Sequence, residues 1–134
     1  MLGFLSERKY TMSAWGYKSY ENDNVMDEIP YSYQEYKNPT TKEMSKTLQK
    51  VFNPLKSYCS VYEKMETRLG TLIYFLENSE YPSIENKYLM RAMRYAQNLK
   101  NNKTYLSDWN NPKARKNRLN KEIKIINGAK NREI

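Results

Sequence analysis

The chain has 134 residues, a net charge of +8, a single cysteine and no histidine. A chain of this length is expected to form one domain around one hydrophobic core. The lack of histidine removes the commonest general base and metal ligand, and the lone Cys59 has no partner for a disulfide or an activated thiolate. We therefore expect no enzymatic activity, no cofactor and no bound metal.

The apolar content is low but sufficient for a core. Leu, Ile, Val and Phe account for only 24 residues, which is close to the composition of disordered chains. Tyr, Met and Trp bring the large apolar or amphipathic side chains to 46. No segment alternates with the period of a strand, and only four glycines are present. The prediction is an all-α fold, a compact bundle of about five helices in a single domain.

The domain organisation follows from where periodicity begins and ends. Residues 1–11 show no period and are interpreted as a loose N-terminal leader, 12–128 as the helical domain and 129–134 as a short basic tail. No secretory signal and no apolar run long enough to span a bilayer is present. We expect an intracellular, cytoplasmic protein. The Asn, Lys, Ile and Tyr usage is typical of AT-rich genomes, so a virion or infected-cell cytoplasm is a second possible location.

The stretch 14–28 combines aromatics, a glycine and acidic or amide side chains. We interpret it as a structural clasp, in which glycine turns the chain, aromatics plug the top of the core and a polar side chain caps the next helix. The clasp residues are Trp15, Gly16, Tyr20, Asn22 and Asp23. The alternative is a divalent-cation site made of Glu21, Asp23, Asp27 and Glu28. The clasp is favoured because the stretch lacks calcium-loop spacing and acids at a helix start have an ordinary dipole explanation.

A tyrosine-rich segment follows Pro30. Tyr31, Tyr33 and Tyr36 lie outside any clear heptad, and tyrosine favours contact surfaces. These three residues are the candidate contacts with a protein partner.

Helix signals then follow in chain order. Thr40 and Glu43 have capping-box spacing, and Asn53 is expected to cap a helix whose apolar stripe runs from Leu55 to Leu76. Gly70 interrupts that stripe, which either costs about 1 kcal/mol or permits a close approach by a neighbour. Ser83 is expected to cap a helix to Leu99. Asn111 and Pro112 start the last helix, which is expected to end at Gly128.

The last third of the chain is strongly basic. Residues 87–134 carry 13 Lys or Arg and 3 acidic residues, whereas residues 1–86 carry 10 and 12. At 100° per residue, Lys113, Lys116 and Lys124 cluster on one side of the helix, with Asn117 and Asn120 between them. Candidate contacts with an anion or nucleic acid are Lys113, Arg115, Lys116, Lys121 and Lys124. The alternative is an ordinary solvated helix face.

The opening residues Trp15-Gly16, Tyr20, Glu21-Asn22-Asp23 and Asp27 resemble the start of the domain of unknown function 4259 family. The segment with Ala92, Ala96, Leu106, Trp109, Asn111-Pro112, Arg115, Leu119, Glu122 and Ile123 is similar to that family's closing portion. The resemblance covers residues 12 to about 127 and implies a small helical fold without an assigned activity. The basic final third departs from it, since many relatives look acidic.

The sequence thus predicts a non-catalytic macromolecular interaction or structural module of unassigned role, with a place in a viral or bacterial assembly as one interpretation. Another protein is the expected partner. Nucleic-acid binding through the basic C-terminal helix is the alternative, and no small-molecule substrate is evident.

Overall fold

Seven helices and no strand are found in the residues that the computed structural model describes, which are 14–36, 39–53, 60–79 and 82–132. The helices are α1 (Asp23–Glu28), α2 (Tyr31–Tyr36), α3 (Thr41–Val51), α4 (Val61–Asn78), α5 (Asn86–Lys100), α6 (Lys103–Ser107) and α7 (Pro112–Arg132). The all-α prediction is confirmed. The helices exceed the expected five because the chain also forms the short helices α2 and α6.

The helix starts are set largely by local side-chain caps. Asn22 caps α1 by accepting a hydrogen bond from the Val25 amide at 2.9 Å, and Thr40 and Glu43 form the expected capping box at α3. Ser60, rather than Asn53, caps α4. Residues 54–59, which include Leu55 and Cys59, lie outside the described residues.

The predicted start of the next helix is wrong. The first residue of α5 is Asn86, and its N-cap Glu85 makes no side-chain capping bond. Ser83 therefore does not cap it. Ile84 lies just before α5 and is buried, so it holds the segment that leads into this helix against the core.

The core lies where α4, α5 and α7 meet. Leu69 and Leu72 of α4 are fully buried, and α5 packs against both α4 and α7. On α5 the buried face includes the small residues Ala92 and Ala96, which allow neighbouring helices to approach closely. The apolar stripe predicted for α4 is confirmed at Leu69 and Leu72, and α7 buries Leu119 and Ile126 in the same core.

The last helix does not end at Gly128. It continues to Arg132, so that residues 129–132 of the predicted tail are helical. Ile126 and Ala129 are buried on either side of Gly128 and hold the helix against the bundle. This packing outweighs the modest cost of a glycine inside a helix, about 1 kcal/mol.

Across the described residues, the helices are too short or too polar to cross a bilayer.

Candidate functional site

The clasp stretch forms a tight loop before α1. The Trp15 amide donates to the Glu21 carbonyl at 3.0 Å, and the Lys18 amide donates to the Glu21 carboxylate at 3.1 Å. A Cβ at Gly16 would lie 2.5 Å from that carboxylate. Gly16 is therefore used for close approach by the Glu21 side chain rather than for a left-handed turn.

Trp15 does not plug the core as expected, whereas Tyr17 and Tyr20 of the same loop pack against it. Trp15 remains 37% exposed, and Tyr20 is half-buried with its ring edge-on to Tyr74 at 5.5 Å. Trp109 is the buried tryptophan, at 2% exposure, and Tyr17 stacks on it at 5.6 Å. Asp23 lies in the first turn of α1 and is exposed.

Ser19 ties the loop to the last helix. Its backbone amide and its hydroxyl both donate to the Glu122 carboxylate, the amide at 2.8 Å. The Arg115 guanidinium donates to the Tyr17 carbonyl at 2.7 Å. The loop is therefore fixed to α7 by two charged side chains from a segment about a hundred residues later.

These contacts belong to a buried ionic network. Arg118 donates to Glu122 at 3.0 Å and also pairs with Glu77 of α4. Burial works against the charge of Arg118, but Glu77 and Glu122 outweigh that effect and raise the pKa of the guanidinium. Arg118 therefore keeps its charge while it links Glu77 of α4 to Glu122 of α7, which in turn holds the loop.

A second branch of the network runs through α6. Arg115 Nε donates to the Tyr105 hydroxyl at 3.1 Å, and that hydroxyl is hydrogen-bonded to Glu66. The Arg115 guanidinium also lies 4.8 Å from the Trp109 ring centre. Burial is the main cause that raises the pKa of Tyr105 far above its ordinary value, so this phenol stays neutral.

Arg115 is therefore unavailable to a surface ligand. Its side chain is 0% exposed, whereas a phosphate contact requires an accessible guanidinium. The reason is its helical position: Arg115, Arg118 and Glu122 fall on the same stripe as Leu119 and Ile126.

The candidate lysines of α7 lie together on its outer side. Lys113, Lys116, Lys121 and Lys124 are all exposed, and they share an arc of about 140° at 100° per residue. Asn117 and Asn127 are exposed within that arc, and the half-buried Asn120 accepts a hydrogen bond from Lys100 at 3.0 Å. We call this surface the outer face of α7, defined by Lys113, Lys116, Asn117, Asn120, Lys121, Lys124 and Asn127.

The outer face has no negative charge of its own. Glu122 is the single acidic residue of Pro112–Arg132, and it is buried on the opposite side. Lys113 and Lys124 are separated by roughly 16 Å along the axis, from a rise of about 1.5 Å per residue. The four positive charges are therefore spread along one rigid, extended element.

An open groove of about 510 Å³ borders this face. It is lined by Leu76, Glu77, Lys121, Lys124, Ile125 and Gly128. Lys121 and Lys124 therefore belong both to the outer face and to the wall of this groove, whose α4 side is formed by Leu76 and Glu77.

The tyrosines proposed as protein contacts do not form one described surface. Tyr31 is 77% exposed, whereas Tyr33 is half-buried and packs 6.4 Å from the Phe75 ring. The side chain of Tyr36 lies outside the described residues. Of the two tyrosines whose side chains are described, Tyr31 is the one whose ring a partner can largely reach.

The acids weighed as a cation site do not assemble into one. The described residues contain no group of three or more His, Cys, Asp or Glu arranged to hold a metal ion. Glu21 contacts its own loop, and Glu28 lies 3.7 Å from Lys50. Both have local roles.

Sequence reasoning missed the buried charges. The burial of Arg118, Glu122, Glu66 and Tyr105 was not predicted, and Glu122 entered only through the family resemblance, although Arg118 and Glu122 recur within an apolar helical stripe. Charged residues at i, i+3 and i+7 of such a stripe are a readable signal of a buried network, because a solvated charge would lie on the opposite face.

Comparisons of the chain with protein-family models, with curated proteins and with solved structures find no match. The likeness to the domain of unknown function 4259 family therefore stays a prediction.

Proposed function

We propose that this protein is a non-catalytic interaction module that binds nucleic acid through the outer face of α7. The observation that carries the proposal is the segregation of charge on one helix. Four exposed lysines lie on its outer side without an acid, while its two arginines with described side chains and its glutamate point inward.

This segregation supports a surface used for binding. Arg115, Arg118 and Glu122 hold the helix in place, so the lysines outside are left without partners from the network. Lysines arranged along about 16 Å can neutralise several phosphates and release their counterions, which is the main source of sequence-independent affinity for nucleic acid.

The side chains between the lysines favour nucleic acid over a lipid surface. Asn amides donate to and accept from phosphates, sugars and base edges. A helix that lies on a membrane needs large apolar side chains beside its lysines. The large exposed hydrophobic residues of the described chain are Trp15, Tyr31, Val61 and Met90, and α7 contributes none of them.

A protein partner, our first expectation from the sequence, has weaker support. Tyr31 is exposed, but Tyr33 is packed against Phe75. The surface that they were expected to share is therefore reduced to one described aromatic ring, and the outer face of α7 is the larger continuous feature.

The test is a binding titration with lysines neutralised on the outer face. Fluorescence anisotropy with labelled single-stranded and double-stranded 20-mers at about 50 mM salt should show binding by the natural protein that weakens steeply with salt. The variant K113Q/K116Q/K121Q/K124Q should bind at least about tenfold more weakly, with a log-log salt slope reduced by up to about 3.

A matched control separates a local surface from net charge. The variant K42Q/K46Q/K50Q/K87Q removes the same charge from exposed positions on α3 and α5. It should keep most of the affinity. Equal losses of nucleic-acid affinity in the two variants, or no binding by the natural protein at low salt, would contradict the proposal. A protein partner would then be favoured.

A further inference from the structure

Two arginines meet on one tyrosine hydroxyl at the C-terminal end of α3. Arg68 of α4 lies 3.2 Å from the Tyr95 hydroxyl, and Arg91 of α5 lies 2.9 Å from it. All three side chains are half-buried. They form a cluster that lies against α3, away from the outer face of α7.

The hydrogen-bond chemistry of this cluster is incomplete. A guanidinium has donors and no acceptor, so both contacts must run from the arginines to the tyrosine oxygen. The lone pairs of the Tyr95 hydroxyl are thereby used, and its proton must point elsewhere. No described residue accepts that proton, because the hydrogen bonds of Tyr95 are the two from Arg68 and Arg91.

Part of the arrangement is explained by α3. Arg68 Nε donates to the Val51 carbonyl at 3.2 Å, and Arg68 Nη2 donates to the Asn53 carbonyl at 3.3 Å. Arg91 lies 3.5 Å from the Phe52 carbonyl and stacks 4.9 Å from the Phe52 ring centre. The pair therefore covers the negative end of α3, whose dipole supplies roughly half a unit of negative charge.

The half unit of negative charge at the end of α3 balances only a minor part of the two positive charges of Arg68 and Arg91. Neither Arg68 nor Arg91 forms an ion pair with a carboxylate of the described residues. Two guanidinium groups that share one oxygen repel each other, and a bound anion relieves the repulsion. The exposed part of the pair, together with the Tyr95 hydroxyl proton that no described residue accepts, offers donors to one small oxyanion.

We propose that Arg68, Arg91 and Tyr95 form a binding site for a phosphate-type oxyanion. The phosphate oxygens accept from the Tyr95 hydroxyl and from guanidinium N–H groups, and arginine is suited to this because its planar fork matches phosphate. The site is independent of the lysines of α7. Free inorganic phosphate and the terminal phosphate of a nucleic-acid strand share this chemistry.

The first experiment titrates the intact protein with inorganic phosphate, against chloride at matched ionic strength, and follows amide and arginine side-chain shifts by NMR. The natural protein is expected to show saturable, phosphate-specific shifts around Arg68, Arg91 and Tyr95. Tyr95→Phe keeps the ring and removes the hydroxyl, and Arg91→Gln removes one charge. Each should weaken phosphate binding at least about tenfold, as expected for the loss of a charge-assisted hydrogen bond.

Arg94→Gln is the matched control, because Arg94 is exposed on the same helix. It changes the net charge equally and should bind phosphate like the natural protein. If Tyr95→Phe and Arg91→Gln also bind phosphate unchanged, or if the natural protein shows no phosphate-specific shift, the arginine pair only caps α3 and the proposal fails.

A second arm identifies the source of the phosphate and separates this site from α7. The variant K113Q/K116Q/K121Q/K124Q should bind inorganic phosphate as the natural protein does. If it also binds a 5′-phosphorylated oligonucleotide more tightly than the unphosphorylated one, the terminal phosphate of a strand is a ligand; equal affinity assigns the site to free phosphate. Loss of phosphate binding in this variant overturns the proposed location.

Discussion

Glu122 is the side chain on which the N-terminal loop, α4 and α7 converge. It is fully buried, accepts two hydrogen bonds from Ser19 and faces Arg118, which itself reaches Glu77. A buried carboxylate is tolerated only when its charge is paired and its lone pairs accept hydrogen bonds. Here Arg118 pairs with the charge, and Ser19 of the loop donates two hydrogen bonds.

Replacing Glu122 by Gln should reveal this dependence. The substitution keeps the shape but removes the charge opposite Arg118 and one strong acceptor for Ser19. We expect a loss of about 2–4 kcal/mol in the free energy of unfolding, measured by urea denaturation. Glu85→Gln, which affects only the exposed pair with Lys87 at 3.5 Å, should change it by less than about 1 kcal/mol. Similar small effects in both would contradict a cohesive role for Glu122.

At the scale of helices, two glycines show opposite environments. Gly70 of α4 is buried where a Cβ would lie 2.4 Å from the Ser19 carbonyl oxygen and 2.6 Å from Val25 Cγ2. Gly128 of α7 has open space at the same position. Gly70 therefore permits the close approach of the loop and α1 to α4. No such approach requires Gly128, so a residue with higher helix propensity would fit there and make α7 more stable.

The two alanine variants should consequently change the free energy of unfolding in opposite directions. Gly70→Ala is expected to lower the free energy of unfolding by about 1–3 kcal/mol, because the backbone of Ser19 must move. Gly128→Ala is expected to raise it by up to about 1 kcal/mol, since alanine has the higher helix propensity. Thermal or urea unfolding of both variants, compared with the natural protein, checks this. Stabilisation by both would show that the loop does not pack tightly against α4.

For the molecule as a whole, buried phenols link stability to alkaline pH. Burial is the main cause that raises the pKa of Tyr105 above its ordinary value of 10.0, and burial also raises the pKa of Tyr74. The unfolded chain ionises these groups near pH 10 while the folded protein keeps them neutral. The folded pKa is the higher one, so stability is fully present below about pH 10 and is lost as the pH rises above it.

The expected slope from Tyr105 is about 1.4 kcal/mol per pH unit above pH 10, and Tyr74 adds to it in the same direction. Urea unfolding at pH 8 to 11 measures it. Tyr105→Phe should be less stable at pH 8, because Glu66 and Arg115 lose a partner, but its decline above pH 10 should be shallower. Tyr31→Phe, at an exposed position, controls for the loss of one hydroxyl. An unchanged slope in Tyr105→Phe would contradict the assignment.

The sequence by itself determined the helical class, a cap for α1 at Asn22 or Asp23, the capping box at Thr40 and the apolar stripe of α4. Each of these depends on residues three or four positions apart, so the physical cause lies within the segment that shows the pattern. Local patterns also placed Lys113, Lys116 and Lys124 on one side of the last helix.

Only the tertiary structure decided which charged and aromatic side chains are buried. Ser19 and Glu122 meet across 103 positions of the chain, and Arg68, Arg91 and the end of α3 come together from three helices. Arg115 is buried while Lys116 is exposed, and Trp109 fills the core while Trp15 does not. The reason is that burial of a charge is set by the partners that the fold brings to it, and local sequence does not specify them.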